Sequence, residues 1–246
     1  MSFSNPTKST NPAKKFIQYH GNTGKWTWYD KEVELDQEIQ LPFYFVILDD
    51  LFTIKGFSDS FESYIYSNEV HNTNELLKVK SFKGGLSVIG YYPDIKLDLK
   101  DKGGKYHKSI YALAFDKDYN TELVNISIGG VALGPWIELK VKMNSQSVAI
   151  MPEVTDGRKG TVEFKIPSFK TFKIPEEMIE KATETDKELQ EYFKQYKAVK
   201  EVDNAEKEIV IDENLSQKAD VKREEFVNEQ AEEEFPPQEE LDDLPF

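Results

Sequence analysis

The sequence contains no cysteine and only three histidines among its 246 residues. Without cysteine, neither a disulfide framework nor a thiolate metal site can form. His20, His71 and His107 lie far apart in the chain, so a zinc site would need histidines and carboxylates gathered from separate loops. We therefore expect no metal and no cofactor.

Long apolar runs are also missing. No run approaches the roughly 18 residues that a membrane-spanning helix needs. The first ten residues, rich in Ser, Thr, Asn and Lys, lack the hydrophobic core of a signal peptide. These absences predict a cytoplasmic protein.

Motifs for catalysis are absent as well. Gly24 and Lys25 resemble the end of a phosphate-binding loop, but that motif requires glycine where Tyr19 stands and Ser or Thr where Trp26 stands. The paired glycines of the chain fit hairpin turns better than a dinucleotide fingerprint. Acidic pairs such as Asp49 and Asp50 are typical of solvated turns. The sequence predicts no catalytic residue, and we do not expect an enzyme.

Negative charge is confined to one end of the chain. Residues 1–173 hold 22 basic and 21 acidic side chains, whereas residues 174–246 hold 9 basic and 24 acidic ones. The net charge of −14 therefore comes from the C-terminal third, a pattern typical of an acidic interaction tail.

Strand-like segments dominate residues 15–175, after a loose leader at 1–14. Short alternating runs recur about every dozen residues, among them 41–48, which ends at Asp49, and 136–142. This spacing predicts an antiparallel β-barrel or sandwich.

A different pattern begins after Pro175. Glu176 and Glu177 suit the first turn of a helix, and apolar residues then follow helical spacing, which predicts one helix over 176–200. Residues 201–246 hold 17 acidic and 4 basic side chains with few aliphatic ones, so we expect a disordered tail.

Lysines alternate with aromatic residues in three stretches of the β-region. Single-stranded nucleic acid favours such a pattern, because bases stack on flat side chains while lysines neutralise phosphates. Only Arg158 and Arg223 supply guanidinium groups, which favours backbone contact over reading of bases. The candidate single-stranded DNA contacts are Lys25, Trp26, Trp28, Tyr29, Lys78, Lys80, Phe82, Lys83, Lys102, Lys105, Tyr106 and Lys108. Stacking would quench the fluorescence of Trp26 or Trp28.

Other interpretations fit some of the same residues. Many aromatic side chains must fill the core, and Trp136 is better explained as a core residue than as a stacking platform. Aromatic residues also stack on sugars, which leaves open a β-sandwich that binds carbohydrate or mediates adhesion. A scaffold protein with a merely solubilising tail is a further alternative.

The chain ends in two carboxylates, an apolar residue, a proline and a phenylalanine: Asp242, Asp243, Leu244, Pro245 and Phe246. The Phe246 ring suits an apolar pocket whose basic rim would meet its α-carboxylate. Pro245 lowers the ordering cost of binding. This tip is therefore a candidate ligand for other proteins.

The tip resembles that of bacterial single-stranded DNA-binding proteins, and phage-encoded counterparts likewise join a β-barrel to an acidic tail. Further stretches, such as residues 104–111, look like replication-associated proteins of tailed bacteriophages. The resemblance implies an OB-fold-like Greek-key β-barrel with insertions that coats single strands. It also implies a tip that recruits replication, repair and recombination proteins and competes with DNA for the groove. A phage-encoded chain would act in the host cytoplasm. The helix over 176–200 could close the barrel, pack on its outside or mediate self-association.

Overall fold

The computed structural model describes residues 11–143, 148–159 and 161–205. These ranges are mainly β, as predicted, and contain eleven strands. The strands are β1 (Lys15–His20), β2 (Lys25–Asp30), β3 (Leu35–Glu38), β4 (Tyr44–Ser58), β5 (Ser63–Ser67), β6 (Leu77–Ser81), β7 (Ser87–Gly90), β8 (Gly104–Phe115), β9 (Thr121–Gly129), β10 (Val148–Lys159) and β11 (Val162–Lys173). The α-helices are α1 (Tyr92–Asp101), α2 (Leu133–Lys142) and α3 (Glu176–Ala205).

Nine of the strands form one sheet in the order β3-β2-β1-β9-β8-β4-β5-β6-β7. Neighbours are antiparallel except β1 and β9, which are parallel and make the sheet mixed. The β10–β11 hairpin joins the sheet where Ile150 pairs with Phe45. Among the described strands no pairing joins β3 to β7, so the sheet is open and the predicted closed barrel is not confirmed.

Strand β4 is continuous over 15 residues, whereas the sequence indicated a run that ends at Asp49. Its register against β8 shifts between Ile47 and Asp49, which marks a β-bulge. Asp49 and Asp50 therefore lie within a strand, and their interpretation as turn residues was wrong. Asp50 instead forms ion pairs with Lys108 at 3.3 Å and Lys140 at 3.4 Å.

One face of the sheet packs on the main hydrophobic core, and we call it the covered face. Trp136 from α2 and Phe169 from β11 lie over it, with their ring centroids 5.5 Å apart. Trp136 is completely buried, which confirms that it belongs to the core. Further along the sheet, Leu99 of α1 closes a second apolar cluster.

Residues 136–142 form most of a helix, so the strand predicted there was wrong. Apolar residues at 137, 139 and 141 alternate as in a strand, yet Val141 is 69% exposed. The side chains that are buried, Leu133, Trp136 and Leu139, are spaced by three residues and share one helical face. Burial of the large Trp136 ring thus overrides the alternating pattern.

Helix α1 was missed, although its end signals are present in the sequence. Pro93 and Asp94 occupy its first turn, where both residue types are favourable. Gly103, just beyond the C-terminal end, has a φ of +84° that suits glycine. The helix is only ten residues long and fully buries one side chain, Leu99, so it carries little apolar periodicity.

The predicted C-terminal helix is present as α3, which extends to Ala205. Its buried residues Met178, Ala182, Leu189 and Phe193 form one stripe. That stripe packs against one end of the second face of the sheet, where Leu51, Tyr111, Leu113 and Leu123 lie. In the described ranges, no helix is long and apolar enough to cross a membrane.

Candidate nucleic-acid interface

The second face of the sheet is uncovered away from α3, and we call this part the open face. Side chains alternate across a strand, and directly paired residues point to the same side. The register therefore fixes which residues lie there. Its exposed aromatic residues are Phe16 of β1, Tyr29 of β2, Phe57 of β4, Tyr64 and Tyr66 of β5, and Phe82 just after β6.

Most of the exposed aromatic residues of the described chain lie on this face. Eight aromatic residues of the described chain are exposed; six of them lie on this face, and Tyr119 and Phe172 lie outside it. Exposure reaches 71% for Tyr64 and 81% for Phe82. Aromatic rings on the covered face pack into the core instead, so the unburied rings are concentrated on one surface.

Three of these rings form a cluster at the β4–β5–β6 side of the open face. The centroids of Phe57 and Tyr64 are 5.3 Å apart, with their planes at 78°. The backbone N–H of Phe82 donates to the carbonyl of Tyr64 at 2.9 Å, so their side chains stand side by side. Together with Lys83, these rings line an apolar depression of about 370 Å³. Flat rings beside a lysine could stack on bases and contact a phosphate.

Lysines lie between these rings on the same face. Lys55 pairs across the strands with Tyr66, which pairs in turn with Lys80. Lys55 also stands opposite Lys105 on β8. Lys78 is two residues before Lys80 and therefore points to the same side.

Carboxylates are found at one edge of the open face. Asp36 and Glu38 of β3 face Tyr29 and Thr27 of β2. Glu38 forms an ion pair with Lys25 at 2.6 Å. The strands from β8 to β6, by contrast, present mainly lysines and aromatic rings, although Glu69 lines a cleft with Lys55 and Glu62 lines the depression of the aromatic cluster.

Half of the predicted DNA contacts lie on the open face. By register these are Lys25, Tyr29, Lys78, Lys80, Phe82 and Lys105. They come from three separate stretches of sequence, and the fold brings them to one surface. Lys83 lies in the turn that follows Phe82, next to the aromatic cluster.

Trp26 and Tyr106 do not lie on the open face, so the structure does not support their prediction as contacts. Trp26 is 1% exposed and packs between Tyr19 and Phe43. Tyr106 stacks on Phe52 with ring centroids 5.0 Å apart, and burial raises the pKa of its hydroxyl far above the usual value. Both residues point to the covered face, whereas their immediate neighbours in the strand, Lys25 and Lys105, point to the open face.

Trp28 also lies on the covered face. It packs against the main core cluster, and the Lys15 ammonium is 4.9 Å from the centre of its ring. All three tryptophans of the chain therefore belong to the covered side. Strand binding on the open face should leave tryptophan emission nearly unchanged, contrary to the quenching expected from the sequence.

Two predicted lysines are engaged elsewhere. Lys108 is on the covered face, where it pairs with Asp50 and is only 15% exposed at its side chain. Lys102 follows α1 and forms an ion pair with Asp98 one helical turn earlier. Neither lysine is placed to contact a strand that lies on the open face.

Several open-face residues were missed in the sequence. Phe16, Lys55, Phe57, Tyr64 and Tyr66 lie outside the three stretches where lysine and aromatic residues alternate. The signal that could have found two of them is the short run 63–67, in which tyrosines alternate with residues that are buried. Lys55 and Phe57 show no such signal, because only the register of β4 identifies their side of the sheet.

The acidic tip at 242–246 lies outside the described residues, as does the rest of the chain after Ala205. In the described ranges, no group of three or more His, Asp or Glu side chains is arranged to hold a metal ion. No protein-family model matches the chain, and no curated protein or solved structure is significantly similar to it.

Proposed function

We propose that this protein binds single-stranded DNA without sequence preference and holds it across the open face of its sheet. The observation that carries the proposal is the concentration of exposed rings there, six of the eight in the described chain, with lysines between them. Stacking of a base on an aromatic ring contributes about 1–3 kcal/mol. Every base has a flat face, so such contacts do not depend on sequence.

The open sheet is compatible with this role. Sheet faces whose aromatic residues stack on bases recognise single strands in other folds, without closure into a barrel. An OB-fold-like barrel is therefore unnecessary for the proposal and stays a prediction from the sequence. The lysines bind phosphates as point charges, which suits contact with the backbone of the strand.

The tail is the second part of the proposal. The tip at 242–246 would recruit replication, repair and recombination proteins to the strand that the sheet protects, and the protein itself would not be an enzyme. A phage-encoded protein of this kind would work in the host cytoplasm. These statements rest on the residues of the tip and on its resemblance to bacterial single-stranded DNA-binding proteins.

Binding to a dT oligomer should weaken as salt is raised, because phosphate contacts release counterions. Fluorescence anisotropy between about 50 and 500 mM salt should show a loss of at least about tenfold in affinity. An oligosaccharide titrated in parallel should not bind, which separates this function from that of a carbohydrate-binding module. A dT affinity that does not change with salt would remove the electrostatic part of the proposal.

Removal of residues 238–246 should preserve or strengthen dT binding, because the acidic tip no longer competes for the lysines. The same truncation should abolish recovery of partner proteins from a lysate on dT-coated beads. A matched chain with Phe246→Ala keeps both aspartates, so it should retain the competition with DNA but lose the partners. Weaker dT binding by the truncated protein would count against a competing tail.

A further inference from the structure

A cleft of about 340 Å³ lies where α3 crosses the edge of the open face. This volume is at the lower end of the range for small-ligand sites, so it suits a single base rather than a stack of bases. The strands supply its floor, and Tyr192 from α3 supplies one wall. The lining residues that matter here are Phe16, Lys55, Tyr66, Glu69, Asn125 and Tyr192.

Hydrogen bonds fix the Glu69 carboxylate in this cleft. It accepts from the Ser109 hydroxyl at 2.5 Å and from the Tyr111 hydroxyl at 3.0 Å. Each hydroxyl in turn accepts from an amide, Asn125 at 2.7 Å and Asn11 at 2.8 Å. The hydroxyl protons therefore point at Glu69. A carboxylate has about four acceptor sites, so two sites remain after these bonds.

A donor lies in the same cleft. The Lys55 ammonium donates to the Ser127 hydroxyl at 3.0 Å and has further protons to donate. Burial lowers the pKa of Lys55, and the nearby Glu69 carboxylate acts in the opposite direction. The cleft thus presents a fixed acceptor and a cationic donor together.

Aromatic rings border these polar groups. Phe16 and Tyr66, on the strand side, are 51% and 47% exposed. On the helix side the Tyr192 ring stacks on Tyr196, with centroids 5.7 Å apart and planes at 27°. A flat ligand between the sheet and α3 would meet rings at its faces and polar groups at its edge.

Building on the proposed function, we propose that this cleft takes one base of the bound strand and prefers cytosine or guanine to thymine. Cytosine presents an amino group and, further along the same edge, a carbonyl oxygen beyond the N3 acceptor; guanine also presents an amino group and a carbonyl oxygen on one edge. The amino group would donate to Glu69 and the carbonyl would accept from Lys55. Thymine has no amino group, and its single N3–H donor lies between two carbonyl oxygens, so donation to Glu69 would bring a carbonyl oxygen towards the carboxylate. The preference is confined to one position, so binding elsewhere remains independent of sequence.

The test compares dC and dT oligomers of equal length by fluorescence anisotropy at one salt concentration. The full chain should bind dC about threefold to tenfold more tightly than dT. Glu69→Gln keeps the size of the side chain but places an amide donor in the cleft, so the ratio should fall to about one. Glu32→Gln removes the same charge in the exposed β2–β3 turn and should leave the ratio unchanged.

Tyr66→Ala provides a second variant that does not touch the Glu69 hydrogen bonds. It should also reduce the preference for dC, because the base loses one ring beside it. Thermal unfolding of both variants shows whether the fold is retained. An unchanged dC preference in folded Glu69→Gln and Tyr66→Ala would overturn the cleft as a base site and leave the proposed function standing. Failure of the unaltered protein to bind either oligomer would overturn both.

Discussion

Replacing Phe57, Tyr64 and Phe82 together by alanine is expected to weaken dT binding by at least about a hundredfold. Each ring that stacks on a base contributes about 1–3 kcal/mol to binding. Even if the three contributions are not fully additive, their sum is about 3 kcal/mol or more, which corresponds to a loss of at least about a hundredfold in affinity. Their exposure of 47%, 71% and 81% means that little folding free energy depends on them. Fluorescence anisotropy with a dT oligomer at low salt measures the loss.

The matched control replaces Tyr119 and Phe172, which are 43% and 40% exposed and lie outside the open face. This double variant loses exposed aromatic area as well, so it tests whether position or mere ring count determines binding. It should bind dT as the unaltered protein does. Equal losses in both variants would show that the open face is not the binding surface.

Trp136→Ala is expected to affect stability and not DNA binding. It should reduce the free energy of unfolding by about 3–5 kcal/mol. The ring is completely buried, stacks on Phe45 at a centroid distance of 6.3 Å and meets Phe169 edge to face at 5.5 Å. Its removal leaves a cavity between α2 and the covered face. Urea unfolding followed by circular dichroism measures the change.

Protein that remains folded after Trp136→Ala should bind dT normally, because the ring lies on the covered face. Tyr29→Ala is the control for stability, since Tyr29 is 54% exposed on the open face and its loss should change unfolding by less than about 0.5 kcal/mol. The two variants thus separate the roles of the aromatic residues. A Trp136→Ala protein as stable as its parent would show that the core is assigned wrongly.

The sequence indicates much of the local structure but not the order of the strands. Alternating runs predict the β-region, and helical spacing after Pro175 predicts α3. The parallel pairing of β1 with β9 joins residues more than a hundred positions apart, and no local pattern encodes it. Closure into a barrel was predicted because short antiparallel strands are common in barrels, and the pairing of the described strands leaves the sheet open.

The sequence also could not show which residues of each strand lie on the open face. Trp26 and Tyr29 lie in one run of lysine and aromatic residues, yet one is 1% and the other 54% exposed. Since neighbouring side chains of a strand point to opposite faces, composition identifies the run, and only the register identifies the face. Lys55, by contrast, lies on the open face although its part of the sequence does not alternate lysine with aromatic residues.

Ultraviolet cross-linking of the full chain to a dT oligomer, followed by peptide mass spectrometry, tests the central claim most directly. Cross-links should fall on rings of the open face, with Tyr64, Tyr66 and Phe82 foremost, and should disappear at high salt. Trp28 and Tyr92, on the covered side, should remain unmodified. Cross-links found only on those covered-side residues would contradict the proposed binding surface, and so would the absence of cross-links on every open-face ring.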